Sequence, residues 1–255
     1  GNSMRKFNSI ACLLLLMLPA WCVAEDKPPA VISDSWTIIP KAGHEMELEA
    51  ALKEHMAHRV EKGDTRHWDV YVPVTGDKLN AYVVRSCCNE WSEMDSYRSW
   101  SYEHASEHFN ETVHPHAEKY AHNFGSMNME NSHWPKGTEA NLVGVTKFEI
   151  KQGHWSKFSK AMKKMSSLAK EHGWERNWSW SYPVHGGDTV QLATPFKNFA
   201  EMAPMEENFY QFVAKHLKSE KKADKLFAEF DSAVSSSHYS IYRHRKDLSM
   251  GHDDD

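Results

Sequence analysis

The sequence predicts an α+β protein made of two tandem copies of one βαββαβ unit. Three observations support this prediction. The stretch at 66–76, RHWDVYVPVTG, returns at 176–186 as RNWSWSYPVHG. The same separation aligns a Gly-His pair at 43–44 with another at 153–154. Around each of these pairs the hydrophobic period changes in the same order, which indicates strand, helix and strand segments repeated along the chain.

The elements of the two copies follow one another in the same order. Each copy opens with a strand, at 36–39 or 145–150, and continues with an amphipathic helix that stops at Gly63 or Gly173. The repeated stretch is the second strand, and a Pro-Val-x-Gly turn leads to the third. A second helical region and a last strand follow. The predicted ranges for the third strand, the two helical segments and the last strand are 79–85, 90–109, 115–124 and 127–133, then 189–194, 200–217, 223–230 and 239–243.

This order of elements is the ferredoxin-like arrangement, with the copies at 33–135 and 141–246. Two helices cover one face of such a sheet and leave the other face bare. We therefore expect the two copies to pack sheet to sheet. Residues 247–255 follow as an acidic C-terminal tail.

The amino terminus has the form of a secretory signal peptide. After residues 1–3 and the first methionine, Arg5 and Lys6 precede an apolar run at 10–18, and small residues end the segment at Ala24. The run is too short to span a bilayer, so we expect 1–24 to be cleaved and to leave no stable membrane anchor. The mature protein is then periplasmic or secreted.

Charge and motifs exclude several classes of function. The chain has a net charge of −5, and loss of the signal peptide makes it more acidic, so nucleic acid and anionic membranes are poor partners. The sequence lacks a Cys-x-x-Cys-His haem attachment motif, a Gly-rich phosphate loop and a Gly-x-Ser-x-Gly elbow.

Cysteine content gives a second limit. Of four cysteines only the adjacent Cys87 and Cys88 remain in the mature chain, so no disulfide framework exists. The pair forms either two free thiols, a vicinal disulfide or an intermolecular bridge. The sequence therefore allows a homo-oligomer.

Alternation along the repeated strand sorts its side chains onto two faces. Arg66 and Trp68 share one face, as do Arg176 and Trp178 in the second copy. That face should lie under the helices, where each tryptophan is either a core residue or a pocket wall. Each arginine either reaches solvent or holds an anion at the mouth of a cavity. These four residues and Tyr97 are candidate ligand-binding residues.

Comparison of the two copies singles out two histidines. His55 aligns with Met165 on the first helix, and His104 aligns with Phe212 on the second. Titratable side chains where the other copy has core residues suggest a pocket between helices and sheet in the first copy. His55 and His104 are therefore candidate catalytic residues that transfer a proton near neutral pH.

A possible metal site lies on the same predicted helix. His104, His108 and Glu111 are spaced i, i+4 and i+7, which places them on one helical stripe. Such a stripe can present two imidazoles and a carboxylate to a divalent metal, or one imidazole to haem iron. The alternative is a solvated face, because the chain has 17 histidines and some such pairs arise by chance.

Each copy opens with a strand, a Gly-His pair and a helix. With this opening present twice, the chain resembles the dimeric α+β barrel superfamily. That superfamily includes antibiotic-biosynthesis monooxygenase-like proteins and the haem-using chlorite dismutases. The resemblance covers nearly the whole mature chain, rests on architecture, and implies that the two packed copies form an α+β barrel. No motif is specific enough to transfer a catalytic residue, and the fold alone does not assign a function.

Three functions follow as expectations from the resemblance. The first is a small-molecule-binding protein or enzyme, of the cofactor-independent monooxygenase type, with Trp68 as a wall and Arg66 fixing an anionic oxygen. The second is a haem or metal protein like the chlorite dismutases, with His104 or His108 as ligand and Arg66 near the open position. The third is a non-catalytic periplasmic binding module.

Overall fold

A computed structural model describes residues 30–184 and 186–251 and shows two halves with the same order of elements. The predicted signal peptide at 1–24 lies outside the described residues, as do 252–255. The first half comprises β1 Val31–Pro40, α1 Glu45–Glu61, β2 Asp69–Pro73, β3 Tyr82–Glu90, α2 Met94–His104, α3 Ser106–Thr112 and β4 Ala117–Met127. The second half comprises β5 Leu142–Ile150, α4 Trp155–Glu171, β6 Ser179–Pro183, β7 Thr189–Phe196, α5 Phe209–Leu217, α6 Glu220–Ala233 and β8 Val234–His244.

The eight strands form one closed antiparallel barrel in the order β1-β3-β2-β8-β5-β7-β6-β4. The halves meet at two edges. Tyr71 of β2 pairs with His244 of β8, and Ser126 of β4 pairs with Tyr182 of β6. Pairing at both edges satisfies backbone groups that two separate sheets would leave open, so the bare faces of the two sheets become the interior of the barrel.

The last strand of the first half was predicted wrongly. The range 115–124 was expected to be helical and 127–133 to be the strand, but β4 runs from Ala117 to Met127. The single helical turn at His114–His116 contains Pro115, and the helical region ends there. Strand register also aligns the last strands of the two halves. Trp36 of β1 pairs with His122 of β4, and Thr146, the matching residue of β5, pairs with Tyr239 of β8. His122 and Tyr239 thus occupy matching positions.

The apolar cores lie between the helices and the outer face of the barrel. Trp68 and Val70 of the first half are buried against α1, together with Leu52 and Met56. In the second half Trp178 is buried in the corresponding core beside Phe158 of α4. The face of the repeated stretch that was predicted to lie under the helices does so in both halves.

The segment after β8 is part of the first-half core. Leu248 is fully buried there, and the backbone N–H of Met250 donates to the carbonyl of Trp68 at 2.9 Å. The Val70 N–H donates to the Ser249 hydroxyl at 2.8 Å. The prediction of an acidic tail from residue 247 onward is therefore wrong for 248–250, since an apolar Leu-Ser-Met run closes the core of the opposite half.

Two smaller expectations concern the cysteines and the membrane. Cys87 and Cys88 at the end of β3 form a disulfide with each other, which selects one of the three alternatives left by the sequence. Within residues 30–184 and 186–251, no helix is long and apolar enough to cross a bilayer.

Candidate functional site

A buried ion pair anchors the candidate site on the outer face of the first-half sheet. Arg66 Nη1 lies 3.2 Å from Asp34 Oδ2, and the two side chains are only 4% and 7% exposed. The second guanidinium nitrogen donates to Met94 Sδ at 2.8 Å, and the guanidinium lies over the Tyr97 ring at 3.7 Å. Arg66 was predicted either to reach solvent or to hold an anion at a cavity mouth. The structure shows neither arrangement, because the Arg66 guanidinium is buried in an ion pair with Asp34.

The other carboxylate oxygen of Asp34 binds a histidine. His122 Nε2 lies 2.7 Å from Asp34 Oδ1, and the His122 side chain is 25% exposed. An ionised carboxylate only accepts hydrogen bonds, so Nε2 carries the proton and the lone pair of the neutral ring is on Nδ1. Because Arg66 holds Asp34 from the other side, the orientation of the His122 ring is fixed by a buried partner.

Aromatic rings surround His122 and form what we call the aromatic patch, which consists of Trp36, Trp91, His122 and Phe124. Trp36 stacks on His122 with centroids 4.1 Å apart, and Phe124 meets it edge-on at 4.7 Å. Trp91 packs edge-on against Phe124 at 5.4 Å. Trp36 and Trp91 remain 38% and 45% exposed. Large exposed aromatics beside a hydrogen-bonded polar group are typical of a ligand surface.

The second half lacks this arrangement. Gly144 and Tyr239 stand at the positions of Asp34 and His122. The phenol end of Tyr239 lies over Gly144 and occupies the space that a Cβ at this position would need. A side chain of the barrel itself therefore covers the surface that the His-Asp pair occupies in the first half. The difference between the halves places the candidate site in the first half.

Tyr97 links the ion pair to the helices of the first half. Its hydroxyl accepts hydrogen bonds from Arg59 Nη2 at 2.6 Å and from Trp68 Nε1 at 2.9 Å, and donates to Asp64 Oδ2 at 3.0 Å. Burial raises the pKa of Tyr97 to about 12, so it stays a neutral phenol. Tyr97 and Trp68, predicted to bind a ligand, thus fill the space between helices and sheet where a pocket was expected.

His55 belongs to a chain of polar contacts that leads from Arg59 towards the surface. Arg59 Nη1 approaches His55 Nε2 at 3.5 Å, His55 Nδ1 lies 3.1 Å from His108 Nδ1, and His108 Nε2 lies 3.5 Å from Glu54. Arginine can only donate, so His55 accepts at Nε2 and donates from Nδ1 to His108. Burial, with help from Arg59, lowers the pKa of His55 to about 3. His55 is therefore neutral at physiological pH and unsuited to store a proton as a general base.

The predicted metal stripe does not form. The helix is interrupted at Ala105, so His104 ends α2 while His108 and Glu111 belong to α3. The His104 ring lies beside Trp100. No cluster of three or more His, Cys, Asp or Glu side chains in the described part of the chain is placed to hold a metal ion. The expectation of one continuous stripe is wrong because Ala105 leaves the helical conformation.

His104 and His108, the expected haem ligands, lie where α2 and α3 contact α1. His108 uses Nδ1 towards His55, and the His58 ring stacks on it at 4.0 Å. The carbonyl of His104 accepts a hydrogen bond from His58 at 2.8 Å, which ties the end of α2 to α1. Arg66 was expected beside an open iron position, yet it is buried against Asp34.

The two predicted residues of the second half have structural partners. The indole of Trp178 donates to the carbonyl of Asn131 at 2.7 Å. Arg176 donates to the carbonyl of Glu201 and lies over the Phe196 ring at 5.1 Å. Both side chains therefore stabilise the second-half core.

Sequence reasoning missed most of the candidate site. Asp34 was not singled out, Trp36 was treated only as part of a strand, and His122 was placed in a helical segment. One available signal was the alternation of Tyr120, His122 and Phe124, which is typical of a strand face and differs from a helical period.

Comparisons with known proteins identify the fold. No protein-family model matches the sequence, and a comparison with curated proteins finds no match. A solved structure from Lactobacillus acidophilus, provisionally assigned as a monooxygenase, is 14% identical and covers 87% of this chain and 97% of its own, with a TM-score of 0.56. A protein from Fusobacterium nucleatum with the same provisional assignment is 9% identical and covers 86% and 94%, with a TM-score of 0.57.

A third solved structure, a mutant chlorite dismutase from Candidatus Nitrospira defluvii, is 5% identical and covers 85% of this chain and 93% of its own, with a TM-score of 0.50. At such identities the likeness concerns the fold. The predicted resemblance is confirmed at that level: the chain has the fold of the dimeric α+β barrel superfamily.

Proposed function

We propose that this chain is an exported small-molecule-binding protein, and an enzyme of the monooxygenase-like type, whose aromatic ligand binds on the aromatic patch. The observation that supports this is the His122–Asp34 pair at 2.7 Å, which opens onto exposed tryptophan rings and is held from behind by Arg66. A flat aromatic molecule can stack on Trp36 or Trp91. Its acidic proton then lies within reach of a histidine whose ring is already oriented.

The proposed chemical step is proton transfer to His122. With Nε2–H donating to Asp34, Nδ1 is the basic nitrogen, and the imidazolium formed after transfer is stabilised by the Asp34 carboxylate. Asp34 cannot swing towards solvent, because Arg66 holds its second oxygen. The role predicted for His55 and His104 is thereby moved to His122.

Architecture and compartment belong to the same proposal. We infer that the halves are duplicated ferredoxin-like repeats, since their strand orders β4-β1-β3-β2 and β8-β5-β7-β6 correspond strand by strand. Export is supported by the signal sequence, and the Cys87–Cys88 disulfide accords with an oxidising compartment.

A matched pair of variants tests the site. Fluorescence titration of the mature protein with 2-naphthol should give binding that Trp36→Ala abolishes, because the stacking surface is removed. Tyr239→Ala, the change at the matching surface of the second half, should leave binding intact. Equal binding by wild type and Trp36→Ala would contradict the proposed location.

The catalytic part of the proposal has a separate measurement. Oxygen uptake in the presence of 2-naphthol should be lost in His122→Gln, which keeps a donor for Asp34 and lacks a basic nitrogen. Binding of 2-naphthol should survive in that variant. If wild-type protein binds the probe and neither consumes oxygen nor exchanges a ring proton with deuterated solvent, the chain is a binding module.

A further inference from the structure

The interior of the barrel has an unusual composition. Residues paired across strands carry their side chains on the same face. Since Trp68 and Val70 face the helices, the alternate residues Asp69 and Tyr71 face inward, and so does Arg85, which pairs with Asp69. Small barrels are normally filled by side chains that pack against one another. Here the inner face is instead largely polar.

Several polar side chains on this inner face have no hydrogen-bonding side-chain partner among the described residues. Register places these six there, and none makes a side-chain hydrogen bond to another described residue: Ser35, Thr37, Asn123, Ser179, Ser181 and Gln191. Asn123 and Gln191 are exposed and the other four are half-buried. Because these side chains are exposed or half-buried, we infer that water reaches the interior of the barrel and hydrates them.

Arg85 places a positive charge on the inner face. Its Nη2 lies 3.6 Å from Met127 Sδ, a weak acceptor, and it forms no ion pair with a carboxylate of the described residues. Burial lowers the pKa of Arg85, which shows the cost of holding its charge there. By contrast Arg59, Arg66 and Arg245 pair with Asp64, Asp34 and Glu49. Arg85 is half-buried, and its charge is attracted by that of Asp69, the residue opposite it on β2, without forming an ion pair with it. Such a guanidinium can still bind an anion.

The inward-facing carboxylate nearest in register is already engaged. Asp69 Oδ1 lies 2.9 Å from His244 Nε2 and 3.2 Å from His67 Nε2. Burial raises the pKa of Asp69, but the hydrogen bonds from His244 and His67 outweigh burial and hold it below its usual range. The hydrogen bond between His67 and Asp69 also raises the pKa of His67. The charge of Asp69 is thus shared with two histidines.

Neutral donors flank Arg85. Ser35 is directly opposite it on β1, and Asn123 is opposite Ser35 on β4. Tyr71 lies one diagonal step away, opposite Val83. Burial raises the pKa of Tyr71 to about 12, so it remains a phenol that can donate. Its ring stacks on His244 at 4.9 Å and forms an aromatic wall. One cation, several hydroxyl or amide donors and an aromatic wall match a single negative charge on a small organic molecule.

We propose that the barrel interior binds a small aromatic carboxylate, with its carboxylate on the Arg85 guanidinium and its ring against Tyr71. A monoanion fits better than a phosphate ester. Among Asn123, Ser35, Arg85 and Asp69, which lie side by side across the strands, one arginine supplies the positive charge, and the negative charge of Asp69 would repel a dianion. This site lies inside the barrel, whereas the aromatic patch lies on its outer face. The two proposed sites can therefore be tested independently of each other.

Isothermal titration calorimetry with benzoate tests the proposal, and benzamide serves as the uncharged analogue of the same shape. Wild type should bind benzoate and not benzamide. Arg85→Met should weaken benzoate binding at least tenfold. Arg243→Met, which removes an exposed arginine from the outer face of β8, should leave it unchanged. Equal binding by wild type and Arg85→Met, or no binding at millimolar benzoate, overturns the proposal.

Two further measurements distinguish the interior site from the aromatic patch and from a purely structural role of Arg85. Trp36→Ala should keep benzoate binding, and loss of binding there would assign the ligand to the aromatic patch and overturn the interior site. Without ligand, Arg85→Met should melt at the same temperature as wild type or higher, because no ion pair is lost. A melting temperature several degrees lower would make Arg85 a structural residue and contradict its role as a ligand site.

Discussion

Replacing His55 by methionine, the residue at the matching position of the second half, should remove a source of acid sensitivity. The buried His55 has a pKa of about 3 against an ordinary 6.5, chiefly because of burial. As the pH falls below 6.5, His55 is protonated in the unfolded chain but stays neutral in the folded chain. The contribution of neutral His55 to the free energy of unfolding is therefore fully present above pH 6.5 and is lost progressively towards pH 3. At pH 5 the loss is about 2 kcal/mol, from RT ln(1 + 10^1.5).

Urea unfolding followed by tryptophan fluorescence at pH 7.5 and pH 5.0 measures this loss. Wild type should lose about 2 kcal/mol more than His55→Met between these values. At pH 7.5 the two should agree within about 1 kcal/mol, because the hydrogen bond to a half-buried His108 and the long contact with Arg59 are exchanged for apolar packing. His154→Met, an exposed position, should behave as wild type. An equal pH dependence in wild type and His55→Met would show that His55 does not cause the acid sensitivity.

Three further outcomes are expected in urea unfolding. Leu248→Ala should cost about 3 kcal/mol, since it empties a fully buried position in the first-half core; a loss below about 1 kcal/mol would contradict that packing. Asp34→Asn should cost about 3 kcal/mol by stranding the Arg66 charge, and adding Arg66→Met should recover much of it. Joint replacement of Cys87 and Cys88 by serine should change stability by less than about 1 kcal/mol, because a bridge between neighbours hardly constrains the unfolded chain.

Apart from β4, the strands and the first helices were predictable because their signal is local. The repeated stretch at 66–76 and 176–186 carries its own alternation, and the helices ending near Gly63 and Gly173 show their apolar spacing directly. A side chain that lies on one face of a strand or helix reports its environment through that spacing. These signals gave the order of elements and the face that lies under the helices.

The candidate site could not be found in this way. Asp34 and His122 are 88 residues apart, and only the pairing of β1 with β4 brings them together. Arg66 was assigned to the right face, but its partner was invisible because a long-range ion pair leaves no local pattern. Leu248 likewise packs in the half opposite to its own, an effect of closing the barrel between β2 and β8.

The position of the proton on His122 decides whether the His122–Asp34 pair can act as proposed. Long-range nitrogen NMR of the mature protein should show His122 as the Nε2–H tautomer at neutral pH, since Asp34 accepts from that atom. Addition of 2-naphthol should shift its Nδ1 resonance and leave that of the exposed His154 unchanged. A proton found on Nδ1 in the neutral ring, or a spectrum of His122 that 2-naphthol does not alter, would contradict a working His-Asp pair at the aromatic patch.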